Sequence, residues 1–272
     1  MSSSSSCRRF PAMTSDRTTA ASLLPFALEV VEAAGKLTQS FFRSPDLEIV
    51  AKEDGTPVTQ ADQGAERLIR DAIAAEFPND AIMGEEYGAT DAASGRQWVI
   101  DPIDGTKSFA AGVPLYANLL AVIDDGEPVL GVLNLPAVGE MLSAVVGHGA
   151  TCNGESIRVS QKSTLHGAYV MTSSVRYWPE DFLQRVLDED MILRTWGDAY
   201  GYAMVASGRA EAMLDPRANL WDVAPIGVIL SEAGGAFTDL EGNAQVTAGN
   251  GIGTNGVLHD TFCATFPAAD WR

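Results

Sequence analysis

The segment Trp98–Phe109 constrains the chain more than any other part of the sequence. It opens on an apolar Trp-Val-Ile run, typical of a buried strand, and continues into Asp101 and Asp104 around a proline. Because proline fixes its own φ and disfavours helix at the preceding residue, the strand is expected to end on the first carboxylate. Gly105 then permits a tight turn, and Thr106 is a suitable N-cap for a short helix. The segment therefore predicts hard oxygen ligands beside free backbone amides, which suits a divalent cation that holds a phosphate.

Ordinary turn and cap roles are the alternative for these acids, since Asp-Pro and Asp-Gly pairs are common in turns. Acidic residues at the ends of other predicted elements favour a metal site over these ordinary roles. Glu85 and Glu86 end an apolar strand, where adjacent carboxylates repel each other unless a cation or base is near, although Glu86 also suits a solvated loop. Asp62 opens one predicted helix. Asp222 opens another, and taken alone it is more simply an N-cap.

The composition indicates a globular protein and excludes some partners. Of 272 residues, 46% are hydrophobic and 20% charged, and 36 acids against 18 bases give a net charge of −18. Nucleic acids and anionic membranes need a basic surface, so neither is expected as a partner. No apolar run is long enough to cross a bilayer.

The cysteines and the first residues bear on location. Cys7, Cys152 and Cys263 are far apart and lack a C-x-x-C spacing, so we expect a reducing compartment and a cytoplasmic protein. Residues 1–17 are serine-rich and lack the apolar core of a secretory signal, which predicts a disordered tail. The scarcity of acids there leaves an organelle-targeting role open, and Met13 is an alternative start.

Periodicity predicts a layered α/β fold. Apolar residues recur every three or four positions over 18–41 and 62–77, which predicts two amphipathic helices. A polar turn is expected at 52–58. The first half is predicted to contain strands at 46–50, 81–84, 98–100, 115–123, 128–135 and 140–146.

The second half alternates strands with helices, which implies a layered α/β domain. Its strands are predicted at 169–173, 191–195, 212–214, 236–239 and 251–254. Its helices are predicted at 180–187, 198–207, 222–232 and from about 256. We therefore expect an N-terminal α+β half over 18–160 that carries the acidic motifs, and a C-terminal α/β half over 161–272 that completes the site.

If the acids meet, their chemistry follows. Carboxylate oxygens select Mg²⁺, or Mn²⁺, over softer metals. Two ions sharing Asp101 would lie roughly 3.5–4 Å apart, as in sites that clamp the attacking and leaving oxygens of phosphoryl transfer. Water bound to such ions is acidic enough to attack at neutral pH, so direct hydrolysis is expected without a nucleophilic side chain.

Three motifs resemble those of the inositol monophosphatase family of Mg²⁺-dependent, lithium-sensitive phosphatases. They are Gly84-Glu85-Glu86, the W-x-x-D-P-x-D-G-T-x-x-F pattern of Trp98–Phe109, and Trp221-Asp222-x-Ala224 followed by Glu232–Gly235. The resemblance implies a layered αβαβα sandwich of the inositol monophosphatase and fructose-1,6-bisphosphatase type. It also implies a homodimer that acts on a small-molecule phosphate ester with two or three Mg²⁺ ions.

The resemblance assigns metal ligands residue by residue. Glu85, Asp101 and the backbone carbonyl of Ile103 resemble the ligands of the first ion. Asp101, Asp104 and Asp222 resemble those of the second, and Glu85 also resembles a contact of a third, weaker ion.

Further roles concern water and phosphate. Asp62 matches the acid that pairs with the threonine of D-G-T to orient the attacking water, which makes Thr106 its partner. The amides of Gly105 and Thr106 would hold the phosphate at the helix N-terminus. A plain N-cap role for Thr106 is compatible with this.

Within the family, the sequence is most similar to the branch that hydrolyses histidinol phosphate, through D-G-T-K-S-F and the stretches Arg194–Tyr202 and Gly208–Glu211. Asp198 could pair with the ammonium of that substrate, and Asp215 is a second candidate for substrate binding. Helix capping by Asp198 and a turn role for Asp215 are the alternatives.

Other functions stay open at this point. Inositol 1-phosphate and 3′-phosphoadenosine bisphosphate are alternative substrates, because those branches share the metal motifs. A non-enzymatic alternative is an acidic protein that only binds divalent cations. Asp62 and Thr106 argue against it, since a binding protein has no use for a pair that orients water.

Overall fold

The computed structural model describes residues 17–52, 55–91 and 93–267. The predicted disordered tail lies outside these ranges, apart from Arg17, which is the first residue of a helix. None of the helices in the described ranges is long and apolar enough to span a membrane.

Helices occur throughout the described ranges. They are α1 (Arg17–Phe41), α2 (Gln60–Glu76), α3 (Thr106–Ala110), α4 (Phe182–Asp188), α5 (Asp198–Ala206), α6 (Leu220–Glu232) and α7 (His259–Thr265).

The strands of the first part of the chain are β1 (Ile49–Ala51), β2 (Pro57–Thr59), β3 (Ala81–Gly84), β4 (Gly88–Ala89), β5 (Arg96–Asp104), β6 (Ala117–Asp124), β7 (Glu127–Leu135), β8 (Glu140–Val145), β9 (Ala150–Cys152) and β10 (Glu155–Ser156). Those of the second part are β11 (Tyr169–Met171), β12 (Ile192–Arg194), β13 (Ala212–Asp215), β14 (Ala236–Thr238) and β15 (Gly251–Thr254).

The strands form two large sheets and one small one. The large sheet has the order β10-β9-β8-β7-β6-β5-β3-β4, and only its β3–β5 pair is parallel. The second sheet has the order β12-β11-β13-β15-β14, in which β11 runs parallel to both neighbours. β1 and β2 pair as a separate antiparallel ribbon.

Helices and sheets alternate as five layers. α1 and α2 bury an apolar face on the large sheet, where Ile69 and Trp98 are fully buried. α5 and α6 fill the space between the two sheets, and their cluster includes Leu133 and Met213 from opposite sides. α4 and α7 cover the outer face of the second sheet through residues such as Phe262. The predicted αβαβα sandwich is confirmed. The central cluster draws on both predicted halves, so their boundary at residue 160 stays a prediction.

Two local predictions are wrong near the ends of strands. The strand predicted at 98–100 continues through Pro102 to Asp104, paired with β6, and its register shifts between Asp101 and Asp104. Asn118 donates from Nδ2 to the carbonyl of Pro102 at 2.6 Å, which supports the irregular stretch that a proline requires inside a sheet. The predicted turn at 52–58 contains β2, which begins at a proline, a position that tolerates the missing N–H.

Glycine at position 131 lets α6 approach the large sheet closely. A Cβ on Gly131 would lie 2.4 Å from the carbonyl oxygen and 2.8 Å from the Cα of Pro225. These are backbone atoms in the interior of α6, so they cannot move aside as a flexible side chain could. Gly131 therefore determines how closely helix α6, which carries Asp222, packs on the large sheet.

We expect Gly131→Ala to lower the free energy of unfolding by about 2 kcal/mol or more, because overpacking displaces the backbone of α6. Gly64→Ala, in the interior of helix α2, is the matched control. A Cβ there would meet only the two methyl groups of Leu37, the nearer at 3.4 Å. The control should be neutral or stabilising by up to about 1 kcal/mol. Urea unfolding measures both. Equal effects of the two substitutions would contradict the backbone contact.

Candidate active site

A pocket of about 490 Å³ opens where β3 and β5 end and where α3, α5 and α6 begin. The ends of strands in the large sheet, the ribbon of β1 and β2 and the starts of three helices meet in it. Its lining comprises Lys52, Thr56, Pro57, Glu85, Asp101, Ile103, Asp104, Gly105, Thr106, Lys107, Asp198, Asn219, Trp221 and Asp222. The structure thus brings all five predicted metal-ligating residues to one cavity.

Asp101, Asp104 and Asp222 form an acid cluster in this pocket. One carboxylate oxygen from each lies within 4.8 Å of the others. Asp101 is 1% exposed, and its Oδ1 is buried without a hydrogen-bond partner among the described residues. Burial and then the charge of Glu85 raise the pKa of Asp101 well above its usual range. Burial likewise raises the pKa of Asp104, followed by repulsion from Asp198 and Asp222.

Asp222 is placed by a capping box and is not itself the N-cap. The N-cap of α6 is Asn219, and Asp222 at N3 accepts the Asn219 amide through Oδ2 at 2.7 Å. This contact fixes the carboxylate at the helix entrance, where it also faces Asp101 and Asp104. Burial raises the pKa of Asp222 to about 7, partly offset by the bond to Asn219.

Asp62 is positioned by the same device at the start of α2. Thr59 is the N-cap, and Asp62 at N3 accepts its amide at 2.8 Å and its hydroxyl at 2.5 Å through Oδ2. The other oxygen, Oδ1, lies 3.4 Å from the hydroxyl of Thr106. Burial raises the pKa of Asp62 to about 6, although the bonds from Thr59 oppose the shift. The predicted pair of Asp62 and Thr106 therefore lies side by side.

Thr106 is not the N-cap of α3. That position belongs to Gly105, at a φ of 80°, and Thr106 is the first helical residue. A side chain at Gly105 would be strained, and its Cβ would also lie 3.0 Å from the carbonyl of Leu115. Because Thr106 does not cap the helix, its hydroxyl can donate to the carbonyl of Ile103, at 3.0 Å, or to Asp62.

Lys52 forms an ion pair with each of the two adjacent glutamates. Its ammonium lies 2.7 Å from Oε1 of Glu85 and 2.6 Å from Oε1 of Glu86. Burial of Lys52 lowers its pKa, but the two glutamates outweigh that effect and the net shift is upward. The base that two neighbouring acids require therefore comes from the loop after β1.

Glu66 holds the backbone beneath these glutamates. It is fully buried, pairs with Arg70 at 2.7 Å, and accepts the amides of Glu86 and Tyr87 at 2.7 and 3.1 Å. A Cβ on Gly84 would lie 2.1 Å from Oε1 of Glu66, so only glycine leaves room for this carboxylate.

Asp104 and Asp198 meet at the start of α5. The amide of Ala199 donates to Oδ2 of Asp104 at 2.5 Å. Asp198 lies beside Gly105, since a Cβ there would be 3.1 Å from its Oδ2. Burial raises the pKa of Asp198, while a bond from Ser173 and the charge of Lys107 oppose the shift.

The capping alternative for Asp198 finds no support, because the N-cap of α5 is Gly197 and the first amides of the helix are accepted by Ser173 and Asp104. Asp215 is buried and is absent from the pocket lining. Its Oδ1 accepts the hydroxyl of Ser173 at 2.7 Å. Direct contact of Asp215 with substrate stays a prediction.

Sequence reasoning missed Lys52, Glu66 and Ser173. Lys52 had a partial signal, because an adjacent acid pair demands a base, but nothing in the sequence identified which one. Glu66 stands four residues after Asp62 on the apolar face of α2, and an acid on such a face signals a buried contact. Ser173 carries no signal at all.

The acid cluster fits a divalent cation. Three oxygens converge, one buried oxygen of Asp101 has no donor among the described residues, and burial together with neighbouring carboxylates raises the pKa of all three groups. An uncompensated buried charge is costly unless it is paired or bound to a metal. Hard carboxylate and carbonyl oxygens suit Mg²⁺ and Mn²⁺.

The five-layer αβαβα fold, with a cluster of acids where its strands end, is that of a metal-dependent phosphatase. Comparison with known proteins identifies the family. The chain matches the inositol monophosphatase family over residues 20–270. It is 42% identical to a histidinol-phosphatase of Chlorobaculum parvum over 84% of this chain and 90% of that protein. A histidinol-phosphatase of Mycobacterium tuberculosis is 37% identical over 87% and 95% of the two chains.

A solved structure of an inositol monophosphatase from Thermotoga maritima superimposes with a TM-score of 0.82. It is 33% identical, and the match covers 90% of this chain and 96% of that one. The chain belongs to the inositol monophosphatase family, and it is a phosphomonoesterase with an acidic metal site.

We expect Asp222→Asn to stabilise the metal-free protein at pH 8. Because the pKa of Asp222 rises from 3.8 to about 7 on folding, its stabilising contribution is full below pH 3.8 and is lost as the pH rises through 7. Asparagine keeps the cap acceptor without the charge. With chelator at pH 8, the Tm of the variant should exceed that of the wild type by about 2 °C or more.

Near the unfolded pKa of 3.8 the two melting temperatures should be close, and saturating Mg²⁺ at pH 8 should favour the wild type. Asp71→Asn, at an exposed carboxylate on α2, is the matched control and should show none of these changes. A lower Tm for metal-free Asp222→Asn at pH 8 would contradict the repulsion in the acid cluster.

Proposed function

We propose that the protein hydrolyses histidinol phosphate to histidinol and phosphate, with Mg²⁺ as its cofactor. The observation that carries the proposal is Asp198, a carboxylate that lines the pocket beside Gly105 and lies outside the acid cluster. A phosphate held near Gly105 places the rest of a small ester close to this carboxylate. The two relatives named histidinol-phosphatase, at 42% and 37% identity, support the same substrate.

The metal would be held by residues that the sequence motifs assign. Glu85, Asp101 and the carbonyl of Ile103 would hold one ion, and Asp101, Asp104 and Asp222 a second. Glu85 would also contact a third, weaker ion. When bound, the ions supply Lewis-acid chemistry, which makes water more acidic and neutralises charge on the phosphate; Mn²⁺ can replace Mg²⁺ in this role.

The residues of the chain orient the reactants. Thr106 would donate its hydroxyl proton to Asp62, and its oxygen would then accept a hydrogen bond from the attacking water. A carboxyl group with a pKa of about 6 is suited to take up a proton near neutral pH. The amides of Gly105 and Thr106 at the start of α3 bind phosphate oxygens and fix the ester for attack.

Substrate selection depends on charge. Histidinol phosphate carries a primary ammonium, and inositol 1-phosphate carries hydroxyl groups only. A charge-assisted hydrogen bond from the ammonium to Asp198 distinguishes the two esters. A homodimer, implied by the family resemblance, and a cytoplasmic location, expected from the cysteines, complete the proposal.

The test compares kcat/KM for histidinol phosphate, inositol 1-phosphate and 3′-phosphoadenosine bisphosphate, with Mg²⁺ and with chelator. Histidinol phosphate should be the best substrate, and chelator should abolish turnover of all three. Asp198→Asn should lower kcat/KM for histidinol phosphate by roughly 10- to 150-fold, which corresponds to about 1.5–3 kcal/mol for a charged hydrogen bond.

The same variant should change turnover of inositol 1-phosphate by less than about twofold, and Asp71→Asn should change neither. If the wild type prefers inositol 1-phosphate, the proposal that histidinol phosphate is the substrate is overturned. Equal losses on both esters in Asp198→Asn would overturn the role of Asp198. Hydrolysis of none of the three would overturn phosphatase activity and favour a protein that only binds cations.

A further inference from the structure

Asp198 has an unusual backbone conformation. Its φ is +54°, in the left-handed region that residues other than glycine rarely adopt, although aspartate tolerates it better than most. Such a conformation persists only where the surroundings hold it in place. The local contacts of Asp198 therefore decide where its carboxylate lies in the pocket.

The residue before Asp198 packs directly on another segment. A Cβ on Gly197 would lie 2.3 Å from the Cα and 2.5 Å from the amide nitrogen of Ser173. Ser173 follows β11, whereas Asp198 begins α5, so two elements distant in sequence meet here without an intervening side chain.

The hydroxyl of Ser173 links two carboxylate-bearing residues. Its oxygen accepts the backbone amide of Asp198 at 2.9 Å, and its proton is donated to Oδ1 of Asp215 at 2.7 Å. Asp215 is the last residue of β13 and is 7% exposed. The serine hydroxyl is therefore oriented by a rigid strand end and holds the strained residue in turn.

We infer that Ser173 and Asp215 are positioning residues, which hold the left-handed turn of Asp198 and so set substrate selection without touching the substrate. This inference rests on the proposed role of Asp198. It gives Asp215 an indirect role, through Ser173, in place of direct contact with the ester. Neither residue lines the pocket, although Ser173 is exposed nearby.

The test uses Ser173→Ala, with Ser174→Ala as the matched control, because the neighbouring hydroxyl accepts only the amide of Arg176 among the described contacts. Ser173→Ala should raise KM for histidinol phosphate by about tenfold, as expected for the loss of one supporting hydrogen bond. The KM for glycerol 2-phosphate, which has no ammonium group, should rise by less than about twofold. Ser173→Thr keeps the hydroxyl and should restore most of the lost affinity.

A double-mutant cycle separates positioning from direct contact. In an Asp198→Asn background, Ser173→Ala should have almost no further effect on histidinol phosphate, because both changes act through one carboxylate. An undiminished loss in that background would mean that Ser173 binds the substrate itself, and would overturn the inference. Equal losses on both esters, or no loss on either, would overturn it too.

Amide hydrogen exchange gives a readout independent of any substrate. Ser173→Ala removes the acceptor of the Asp198 amide, so the first turn of α5 should exchange faster than in the wild type or in Ser174→Ala. If histidinol phosphate proves a poor substrate of the wild type, the proposed function fails, yet unchanged or faster exchange still decides whether Ser173 holds this turn.

Discussion

Repulsion among the carboxylates of Asp101, Asp104 and Asp222 is the interaction on which the rest of the structure depends. Three carboxylate oxygens within 4.8 Å of one another oppose folding as long as all three groups are charged. Protonation or a bound cation removes the repulsion. The site therefore gives up stability in the metal-free protein so that a divalent cation meets ligands already in place, as preorganised sites do.

The fold holds these acids with ordinary local structure. Two capping boxes place Asp62 and Asp222 at the third position of their helices, where one carboxylate oxygen binds the cap and the other stays available. An irregular stretch at Pro102 separates Asp101 from Asp104 at the end of β5. The helix layer between the two sheets then contributes α5, whose first amides reach Asp104 and Ser173. Asp62, Asp104 and Asp222 are thus each held by a backbone amide at the start of a different helix.

The layered fold was predictable because its signals are local. Apolar periodicity and punctuation by glycine and proline marked the elements of the second half to within about three residues, and the motif around Trp98–Phe109 marked the pocket. The N-cap role predicted for Thr106 is wrong because Gly105 adopts a left-handed φ, which moves the cap back by one residue. The continuation of β5 through Pro102 depends on Asn118, which is distant in sequence.

The remaining parts of the site depend on contacts that no local pattern encodes. Lys52 meets Glu85 across 33 positions of sequence, and Ser173 meets Asp215 across 42. Such pairs become visible only when the layers have assembled. Both pairs determine how the acids around the pocket are held, so sequence reasoning placed the acids in one region but could not name the groups that hold them.

Calorimetric titration of the metal-free protein with Mg²⁺, in buffers of different ionisation enthalpy, tests the central claim most directly. Since the acid cluster has raised pKa values, with Asp222 at about 7, binding at pH 6 should release about one proton or more per chain, and clearly fewer at pH 8.5. Asp101→Asn should weaken binding strongly. Tight binding with no proton release at pH 6, or binding unaffected by Asp101→Asn, would contradict a cation site built on these repelling carboxylates.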